Sequence, residues 1–326
     1  MPQINLVEAV NMALARAMER DENVVVLGED VGVNGGVFRA TVGLQARFGA
    51  ERVIDTPLSE ALIGGLCVGM AAQGLKPVCE IQFMGFIYPV IDQLVNHASR
   101  MRTRTQGRLS CAMVLRTPHG GGIHAPEHHS ESTESMLAHI PGLRVVIPSS
   151  PSRAYGLLLA SIEDPDPVVF LEPARIYRAN REEVTDNGSL LPLDRAFILR
   201  EGPDATLISW GAIIKETLEA ADVLAEEGIS CEVIDLATLK PYDEETILAS
   251  VGKTGRCVIV HEAARTGGFG GEIAALLAER GLLKLTAPVL RVTGYDTVMP
   301  LPRLEEHYLP SAARVAAAVR TVCQYD

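Results

Sequence analysis

PVCEIQFMGFIYPVIDQLVNHASR, residues 77–100, joins two patterns that together decide the class of fold. Its first part, Pro77–Phe83, is mostly apolar, which predicts a buried strand. Its second part, Tyr88–Arg100, has apolar residues spaced at three and four positions, which predicts a helix with one buried face. A strand that leads directly into a helix is the repeating element of α/β proteins.

The same alternation continues on both sides of this stretch. Asn5 and Glu8 have the spacing of a capping box, so they predict the start of a helix. Ser59 predicts the cap of a second helix, Ala61–Gly74. Further strands are predicted at Val24–Leu27, Ala112–Leu115, Leu143–Ile147 and Val168–Leu171, with a helix at Ser152–Ile162 between the last two. This order predicts a mostly parallel sheet with helices on both faces.

The alternation stops between Glu182 and Asp204, where turn-forming residues gather. This stretch contains Thr185-Asp-Asn-Gly-Ser and Glu201-Gly-Pro-Asp, and we predict an interdomain linker there. Beyond it, strands are predicted at Ala205–Ser209, Cys231–Asp235, Cys257–Val260 and Val289–Val292, and helices at Lys215–Glu226, Glu244–Val251, Glu272–Ala278 and Ala312–Val322. We therefore expect a second, smaller α/β domain.

Composition limits the classes of function. The formal net charge of -12 disfavours binding to the phosphate backbone of nucleic acids. None of the six cysteines lies in a C-x-x-C pair and most lie in apolar runs, which predicts buried free thiols in a reducing compartment. The N-terminal residues lack a basic segment followed by an apolar one, and no apolar run reaches about 18 residues. We therefore expect a cytoplasmic protein without a signal peptide or a membrane span.

The segment Asp55-Thr-Pro-Leu-Ser-Glu60 places a carboxylate in the first turn of the glycine-rich helix. One interpretation is a carboxylate that only stabilises the helix through its dipole. The other is a ligand-binding carboxylate, because ligands of parallel α/β sheets bind at the carboxyl ends of the strands. Acidic first-turn residues are common, so the segment by itself favours the first interpretation.

A histidine-rich segment, Thr117–Glu131, contains four of the eight histidines: His119, His124, His128 and His129. Its three consecutive glycines, residues 120–122, indicate unusual backbone angles or close approach to a ligand. A surface loop without function and a zinc site are two interpretations, although the spacing matches no H-E-x-x-H pattern. Acid–base catalysis by one of the histidines is the favoured interpretation.

Two further segments each have a structural and a functional interpretation. Gly267-Gly-Phe-Gly-Gly271 resembles a dinucleotide-binding loop, but Ile273 stands at the position of the third glycine, so close packing is favoured over an anion site. The neighbouring aromatic residues Phe83, Phe86 and Tyr88 are predicted to pack in the core, with a flat wall for a heteroaromatic ring as the alternative. The chain has no G-x-S-x-G or G-x-x-x-x-G-K-[ST] motif, which argues against serine hydrolases and P-loop enzymes.

Taken together, these segments resemble one family, the β subunits of thiamine-diphosphate-dependent 2-oxo acid dehydrogenases within the transketolase-like group. The similarity is carried, in order, by Leu27-Gly-Glu-Asp-Val-Gly, Gly35–Leu44, Asp55–Glu60, Glu80-Ile-Gln-Phe, Gly120–Gly122, His129-Ser-Glu-Ser, Pro141–Pro148, Asp235–Pro241 and Ala287–Val292. It implies a parallel-sheet α/β domain at residues 1–185 that binds the pyrimidine ring of thiamine diphosphate. A linker at 186–203 and a smaller α/β transketolase C-terminal domain at 204–326 are implied to follow.

The resemblance also implies which residues form the site. Glu60 matches the family glutamate that contacts a pyrimidine nitrogen and favours the cofactor tautomer needed for catalysis. Leu58, Gln82 and Phe86 match residues that line the same pocket. His129 matches the family histidine that donates a proton during acyl transfer to lipoamide. In some family members backbone carbonyls hold potassium, and the matching positions are Met113, Ser161, Asp164 and Asp166.

The family stretch that binds the diphosphate and Mg²⁺, glycine-aspartate-glycine followed by an asparagine, is missing from this chain. The resemblance therefore implies a separate α subunit that mainly holds Mg²⁺, an α2β2 heterotetramer, and a lipoylated dihydrolipoyl acyltransferase core. It implies oxidative decarboxylation of pyruvate or a branched-chain 2-oxo acid, with an acetoin dehydrogenase β subunit as the alternative. A non-catalytic scaffold subunit is the further alternative, and the presence of both Glu60 and His129 disfavours it.

Overall fold

A computed structural model describes residues 3–325 of the chain, and these residues form two compact units. The first unit comprises the residues up to His119 together with Met136–Leu193. The second comprises Gly120–Ser135 together with the residues from Asp194 onward. The second unit is thus built from two separate parts of the chain, and the shorter part contains most of the histidine-rich segment.

The first unit is built on a parallel sheet. Its strands are β1 (Gln3–Ile4), β2 (Val24–Gly28), β3 (Val53–Asp55), β4 (Lys76–Glu80), β5 (Val114–His119), β6 (Arg144–Val146), β7 (Val168–Pro173) and β8 (Glu182–Glu183). Its helices are α1 (Leu6–Arg20), α2 (Leu44–Phe48), α3 (Glu60–Ala72), α4 (Tyr88–Asn96), α5 (Met101–Arg104), α6 (Glu134–Ala138), where the chain re-enters this unit, and α7 (Pro151–Glu163). Six strands pair in parallel in the order β6-β7-β5-β4-β2-β3, whereas β1 and β8 form an antiparallel pair.

Local sequence explains how α1 begins and why the sheet is buried. The side chain of Asn5 accepts a hydrogen bond from the backbone N–H of Glu8 at 3.0 Å, and the Glu8 carboxylate accepts one from the N–H of Asn5 at 2.8 Å. These two bonds confirm the predicted capping box. Every residue of β2 and β7 is buried, as expected of central strands that helices cover on both faces. The predicted parallel α/β architecture is therefore confirmed.

The strand and the helix predicted in residues 77–100 both end earlier than expected. The strand ends at Glu80 rather than Phe83, because the chain then bends into a short 3-10 helix. The helix ends at Asn96, since the next residue has φ -123° and ψ -67°. The hydroxyl of Ser99 donates to the carbonyl of Val95 at 3.0 Å, and a side chain that binds a backbone carbonyl in this way competes with helix continuation.

The second unit contains a smaller sheet. The strands of the second unit are β9 (Phe197–Arg200), β10 (Ala205–Ser209), β11 (Cys231–Asp235), β12 (Thr238–Lys240), β13 (Cys257–His261) and β14 (Leu290–Thr293), of which β12 lies outside the smaller sheet. Its helices are α8 (Ile214–Glu226), α9 (Glu244–Thr254), α10 (Gly270–Arg280), α11 (Pro302–Tyr308) and α12 (Ala312–Cys323). Five strands have the order β14-β13-β10-β11-β9 and are parallel except for β9. Buried apolar residues of α8 and α12 share one core with this sheet.

Two local predictions differ from the structure. The strand β9 was not expected, because it lies in the stretch Glu182–Asp204 and its four residues are too few to show a clear alternation. Ser59 stands at the N-cap position of α3 as predicted, but its side chain makes no capping hydrogen bond. All six cysteines are free thiols and five are buried, as predicted, while Cys323 is partly exposed. No helix within residues 3–325 is long and apolar enough to span a membrane.

Candidate active site

Two carboxyl groups interact at the carboxyl edge of the first unit's sheet. Glu29 directly follows strand β2, and Glu60 is the first residue of helix α3. Burial raises the pKa of Glu29, and the nearby charges of Glu60 and Asp30 raise it further. Because ligands of parallel sheets bind at this edge, the pair is suited to exchange a proton with a bound ligand.

One oxygen of Glu29 is suited to bind a ligand. Glu29 is only 7% exposed, and its carboxylate accepts a hydrogen bond from the backbone N–H of Ser59. Its Oε1 atom is buried without a hydrogen-bond partner among residues 3–325. Since buried polar atoms are normally hydrogen-bonded, Oε1 marks a place where a polar group of a ligand would bind. Glu29 was not predicted from the sequence, although its position directly after a buried strand was a usable signal.

The residues matched to the pyrimidine pocket follow neighbouring strands of this sheet. Leu58 and Glu60 lie after β3, and Gln82 and Phe86 lie after β4. Glu29 follows β2, which lies between β3 and β4, and the side-chain amide of Gln82 is 3.5 Å from the carbonyl oxygen of Glu29. Gln82 and Phe86 are half-buried, whereas Leu58 is 82% exposed. The strand order therefore places all four predicted residues at one edge of the sheet.

Aromatic side chains form a row that ends at this edge. The rings of Phe86 and Phe83 meet edge to face with centroids 5.6 Å apart, and those of Phe83 and Phe38 with centroids 5.4 Å apart. Phe38 in turn lies 5.1 Å from the ring of Tyr177. Tyr88 is exposed, so the prediction of core packing is wrong for that residue. Phe86 is half-buried and keeps accessible surface, which a flat heteroaromatic ring requires.

A buried ion network lies in the same sheet. The guanidinium of Arg116, in β5, donates to Glu172 at 2.6 and 3.0 Å and to Glu80 at 3.0 Å. The hydroxyl of Tyr177 donates to Glu172 at 2.6 Å. Burial lowers the pKa of Arg116, but the charges of Glu172 and Glu80 outweigh burial and leave that pKa raised. Through Tyr177, the network is connected to the row of aromatic rings.

The positions matched to a potassium site have side chains that are already engaged. These positions are Met113, Ser161, Asp164 and Asp166. Asp164 forms an ion pair with Arg144 at 2.8 Å, and Asp166 forms one with Arg102 at 2.7 Å. The hydroxyl of Ser161 donates to a backbone carbonyl at 2.7 Å. Backbone carbonyls are therefore the groups that could bind a cation here.

The glycine-rich part of the histidine segment belongs to the second unit and is hydrogen-bonded to two of its carboxylates. The N–H of Gly121 donates to Glu262 at 3.0 Å, and the N–H of Gly122 donates to Glu305 at 2.6 Å. A Cβ atom on Gly120 would lie 2.0 Å from Oε1 of Glu262. A group does approach the glycines closely, as predicted. It is the side chain of Glu262 in this chain rather than a ligand.

His129 lies in a short 3-10 helix, Glu127–His129, of the second unit and is half-buried. Its neighbours Glu127 and Ser130 line a cavity of about 280 Å³. The other three histidines of the segment differ from it in exposure: His119 is buried, whereas His124 and His128 are exposed. No three His, Cys, Asp or Glu side chains gather as metal ligands in the described part of the chain, so the zinc interpretation has no support.

The glycines of Gly267–Gly271 pack against a buried histidine. A Cβ atom on Gly268 would lie 2.6 Å from Cε1 of His261, and one on Gly270 would lie 2.8 Å from Cδ2. The indole of Trp210 stacks on the imidazole of His261, with ring centroids 5.2 Å apart. The prediction that these glycines allow close packing is confirmed. Burial lowers the pKa of His261 to about 4, so the imidazole is neutral at physiological pH.

His261 is expected to make the stability of the protein depend on pH. The unfolded chain takes up a proton on this residue below about pH 6.5, whereas the folded protein does so only near pH 4, so stability present above pH 6.5 is lost as the pH falls. The loss is expected to reach roughly 3 kcal/mol of unfolding free energy. In His261→Gln, the unfolding free energy measured by chemical denaturation should decrease less between pH 7 and pH 4 than in the wild type, by roughly 3 kcal/mol. His97→Gln, which changes an exposed histidine, should keep the wild-type dependence.

Comparison with known proteins defines the class of this fold. The model of the transketolase pyrimidine-binding domain matches residues 2–180, and that of the transketolase C-terminal domain matches residues 194–315. A split-gene transketolase, solved as an inactive β4 tetramer, superposes with a TM-score of 0.81 at 24% identity and covers 99% of each chain. A transketolase mutant from Pichia stipitis gives a TM-score of 0.72 at 13% identity, over 99% of this chain and 46% of that one. The fold is that of a transketolase-type protein.

Relatives of higher identity narrow this class. The pyruvate dehydrogenase E1 component subunit beta of Acholeplasma laidlawii is 50% identical over 321 residues, which cover 98% of both chains. The protein of the same name from Bacillus subtilis is 48% identical over 325 residues, which cover 100% of both chains. The chain therefore belongs to the family of pyruvate dehydrogenase E1 component β subunits, and the family expected from the sequence is confirmed.

Proposed function

We propose that the chain is the β subunit of a cytoplasmic pyruvate dehydrogenase, which decarboxylates pyruvate and transfers the acetyl group to lipoamide of an acyltransferase core. The observation that carries this proposal is the identity of 48–50% to pyruvate dehydrogenase β subunits over essentially the whole chain. It favours pyruvate over a branched-chain 2-oxo acid and over acetoin. The domain boundaries proposed from the resemblance, 1–185 and 204–326, are retained.

The first unit would hold the pyrimidine half of thiamine diphosphate. Glu60 would share a proton with a ring nitrogen, and the buried Oε1 of Glu29 fits a second polar group of the ring or of the substrate. Phe86 and Leu58 would contact the ring through their accessible apolar surface. When bound, thiamine diphosphate supplies the carbon nucleophile and the electron sink for decarboxylation. The chain's own residues bind it, orient it and exchange protons with it.

His129 would act in the transfer of the acetyl group. Overall, the bond between the carbonyl carbon and the carboxylate of pyruvate breaks, carbon dioxide leaves, and the released electron pair reduces the disulfide of lipoamide. One sulfur takes the acetyl group and the other takes one proton. His129 is half-buried, and histidine is the side chain that most often donates protons in catalysis.

The remaining part of the site would come from an α subunit. The chain lacks the glycine-aspartate-glycine stretch that binds the diphosphate, so we assign Mg²⁺ mainly to the α subunit of an α2β2 heterotetramer. Potassium would be held by the backbone carbonyls at Met113, Ser161, Asp164 and Asp166, since the two aspartates already pair with arginines.

The experiment that tests the proposed function is co-purification of the tagged chain with its partner, followed by assays with thiamine diphosphate and Mg²⁺. Pyruvate, 2-oxoisovalerate and acetoin are compared in one preparation. We expect the purified complex to contain an α subunit and to have its highest kcat/KM with pyruvate. A preference for 2-oxoisovalerate or acetoin would show that this compound, and not pyruvate, is the substrate. A chain that has no partner and no turnover would favour the scaffold alternative.

A further inference from the structure

The loop that carries His129 is closed at its base by hydrogen bonds. The N–H of Gly120 donates to the carbonyl of Glu131 at 3.0 Å, which joins the two arms of the loop. Oε1 of Glu262 accepts from the N–H of Gly121 at 3.0 Å and from the hydroxyl of Ser132 at 2.7 Å. One carboxylate oxygen therefore binds one residue from each arm, before and after His129.

A second carboxylate, that of Glu305, binds the arm of the loop that precedes His129. Oε1 of Glu305 accepts from the N–H of Gly122 at 2.6 Å, and its Oε2 accepts from the N–H of His124 at 3.2 Å. Glu305 is 1% exposed and Glu262 is 5% exposed. Hydrogen bonds from backbone N–H groups to buried carboxylates are charge-assisted and stronger than neutral ones. Glu262 and Glu305 together accept hydrogen bonds from the backbone N–H groups of Gly121, Gly122 and His124 and from the hydroxyl of Ser132.

These carboxylates are not explained by core packing. Burying a charge is unfavourable unless hydrogen bonds compensate, and apolar side chains of similar size would often give equal or greater stability. The approach of Glu262 favours glycine at residue 120, because a Cβ atom there would lie 2.0 Å from Oε1 of Glu262 and the residue has a φ of +83°. The glycine in the sequence and the two buried carboxylates in the fold therefore both fix the geometry of the loop.

We propose that Glu262 and Glu305 are positioning residues for acyl transfer, which hold the loop so that the imidazole of His129 can protonate the second sulfur of lipoamide. This inference rests on the proposed function of the chain and of His129. In this role, neither carboxylate contacts the reacting atoms. Loss of either one should therefore slow the step that uses His129 and leave decarboxylation nearly unchanged.

The test uses the assembled α–β enzyme and two rates. Pyruvate oxidation with ferricyanide, which forms acetate, needs no protonation of a lipoyl sulfur, whereas acetylation of a free lipoylated domain does. Glu262→Ala is expected to lower the acetylation rate by about 10- to 100-fold, because small misplacements of a catalytic group have effects of this size. The ferricyanide rate should change by less than about threefold on the same argument.

Three further variants test the same inference. Glu262→Gln retains an acceptor oxygen and should recover most of the acetylation rate, and Ser132→Ala removes only one arm's bond and should give a smaller decrease. Glu306→Ala, an exposed neighbour of Glu305 on the same helix, should leave both rates unchanged. Equal decreases in both rates, or no decrease in Glu262→Ala, would overturn the inference.

His129→Ala and the wild-type enzyme separate this inference from the proposed function. Wild-type enzyme without pyruvate turnover would contradict the proposed function itself. If His129→Ala slowed both rates equally, the role assigned to His129 would be wrong, and the positioning role would be wrong with it. An active wild type, a selective effect in His129→Ala and no selective effect in Glu262→Ala would contradict the positioning role alone.

Discussion

Glutamine in place of Glu60 should lower pyruvate decarboxylation by the assembled α–β enzyme by about 100-fold or more, which is the usual effect of removing a proton-transfer group. The amide of glutamine can still form a hydrogen bond with a ring nitrogen but cannot take up or release a proton near neutral pH. The decrease should therefore appear mainly in kcat. The binding of thiamine diphosphate, measured by calorimetry, should weaken far less.

Glu51→Gln is the matched control, because Glu51 is an exposed carboxylate of the same unit. That variant should have wild-type kcat and cofactor affinity. An assembled Glu60→Gln enzyme with full activity would show that the carboxyl group is not needed for proton exchange. The helix-dipole interpretation of Glu60 would then be the better one.

Methionine in place of Arg116 should lower the unfolding free energy by about 3–5 kcal/mol, because it leaves two buried carboxylates without their cation. Arg116 is 1% exposed and donates three hydrogen bonds to Glu80 and Glu172. In the wild type, burial already raises the pKa of Glu80. Without the guanidinium, protonation of Glu80 becomes still more favourable, so the deficit in unfolding free energy should narrow as the pH is lowered from 7 to 5.

Urea denaturation of the purified chain at the two pH values measures this effect. Arg181→Met is the control, since Arg181 forms an ion pair with Glu8 in which both side chains are largely exposed. Exposed pairs contribute about 0–1 kcal/mol, so the control should remain within that range. A deficit below about 1 kcal/mol in Arg116→Met would mean that the carboxylates find other partners, and the network would not be a stabilising element.

Local patterns in the sequence predicted most of the fold. The capping box of Asn5 and Glu8 depends on residues three positions apart, and the predicted strands Val24–Leu27 and Val168–Leu171 are continuous apolar runs. Such features need no knowledge of distant residues. The edge strand Phe197–Arg200 was missed because it is short and gains its hydrogen bonds from a strand more than thirty residues later.

The site was only partly predictable for a related reason. Glu60, His129, Leu58, Gln82 and Phe86 were all selected through family resemblance. The strand order places all of them except His129 at one edge of the first unit's sheet. The glycines at 120–122 did indicate close approach, but their partner Glu262 lies 141 positions from Gly121. No local pattern relates residues at such a separation. Glu29 was missed because a single acidic residue after a strand is common.

The hydrogen bonds from Gly121 to Glu262 and from Gly122 to Glu305 also bear on how the protein is synthesised. During synthesis, Gly122 leaves the ribosome 183 residues before Glu305, its partner. At the usual rate of about 5–20 residues per second, the interval is roughly 10–40 s. Throughout that interval, the backbone N–H groups of Gly122 and His124 lack their carboxylate partner. Chaperones would find these groups unbonded until Glu305 has been synthesised.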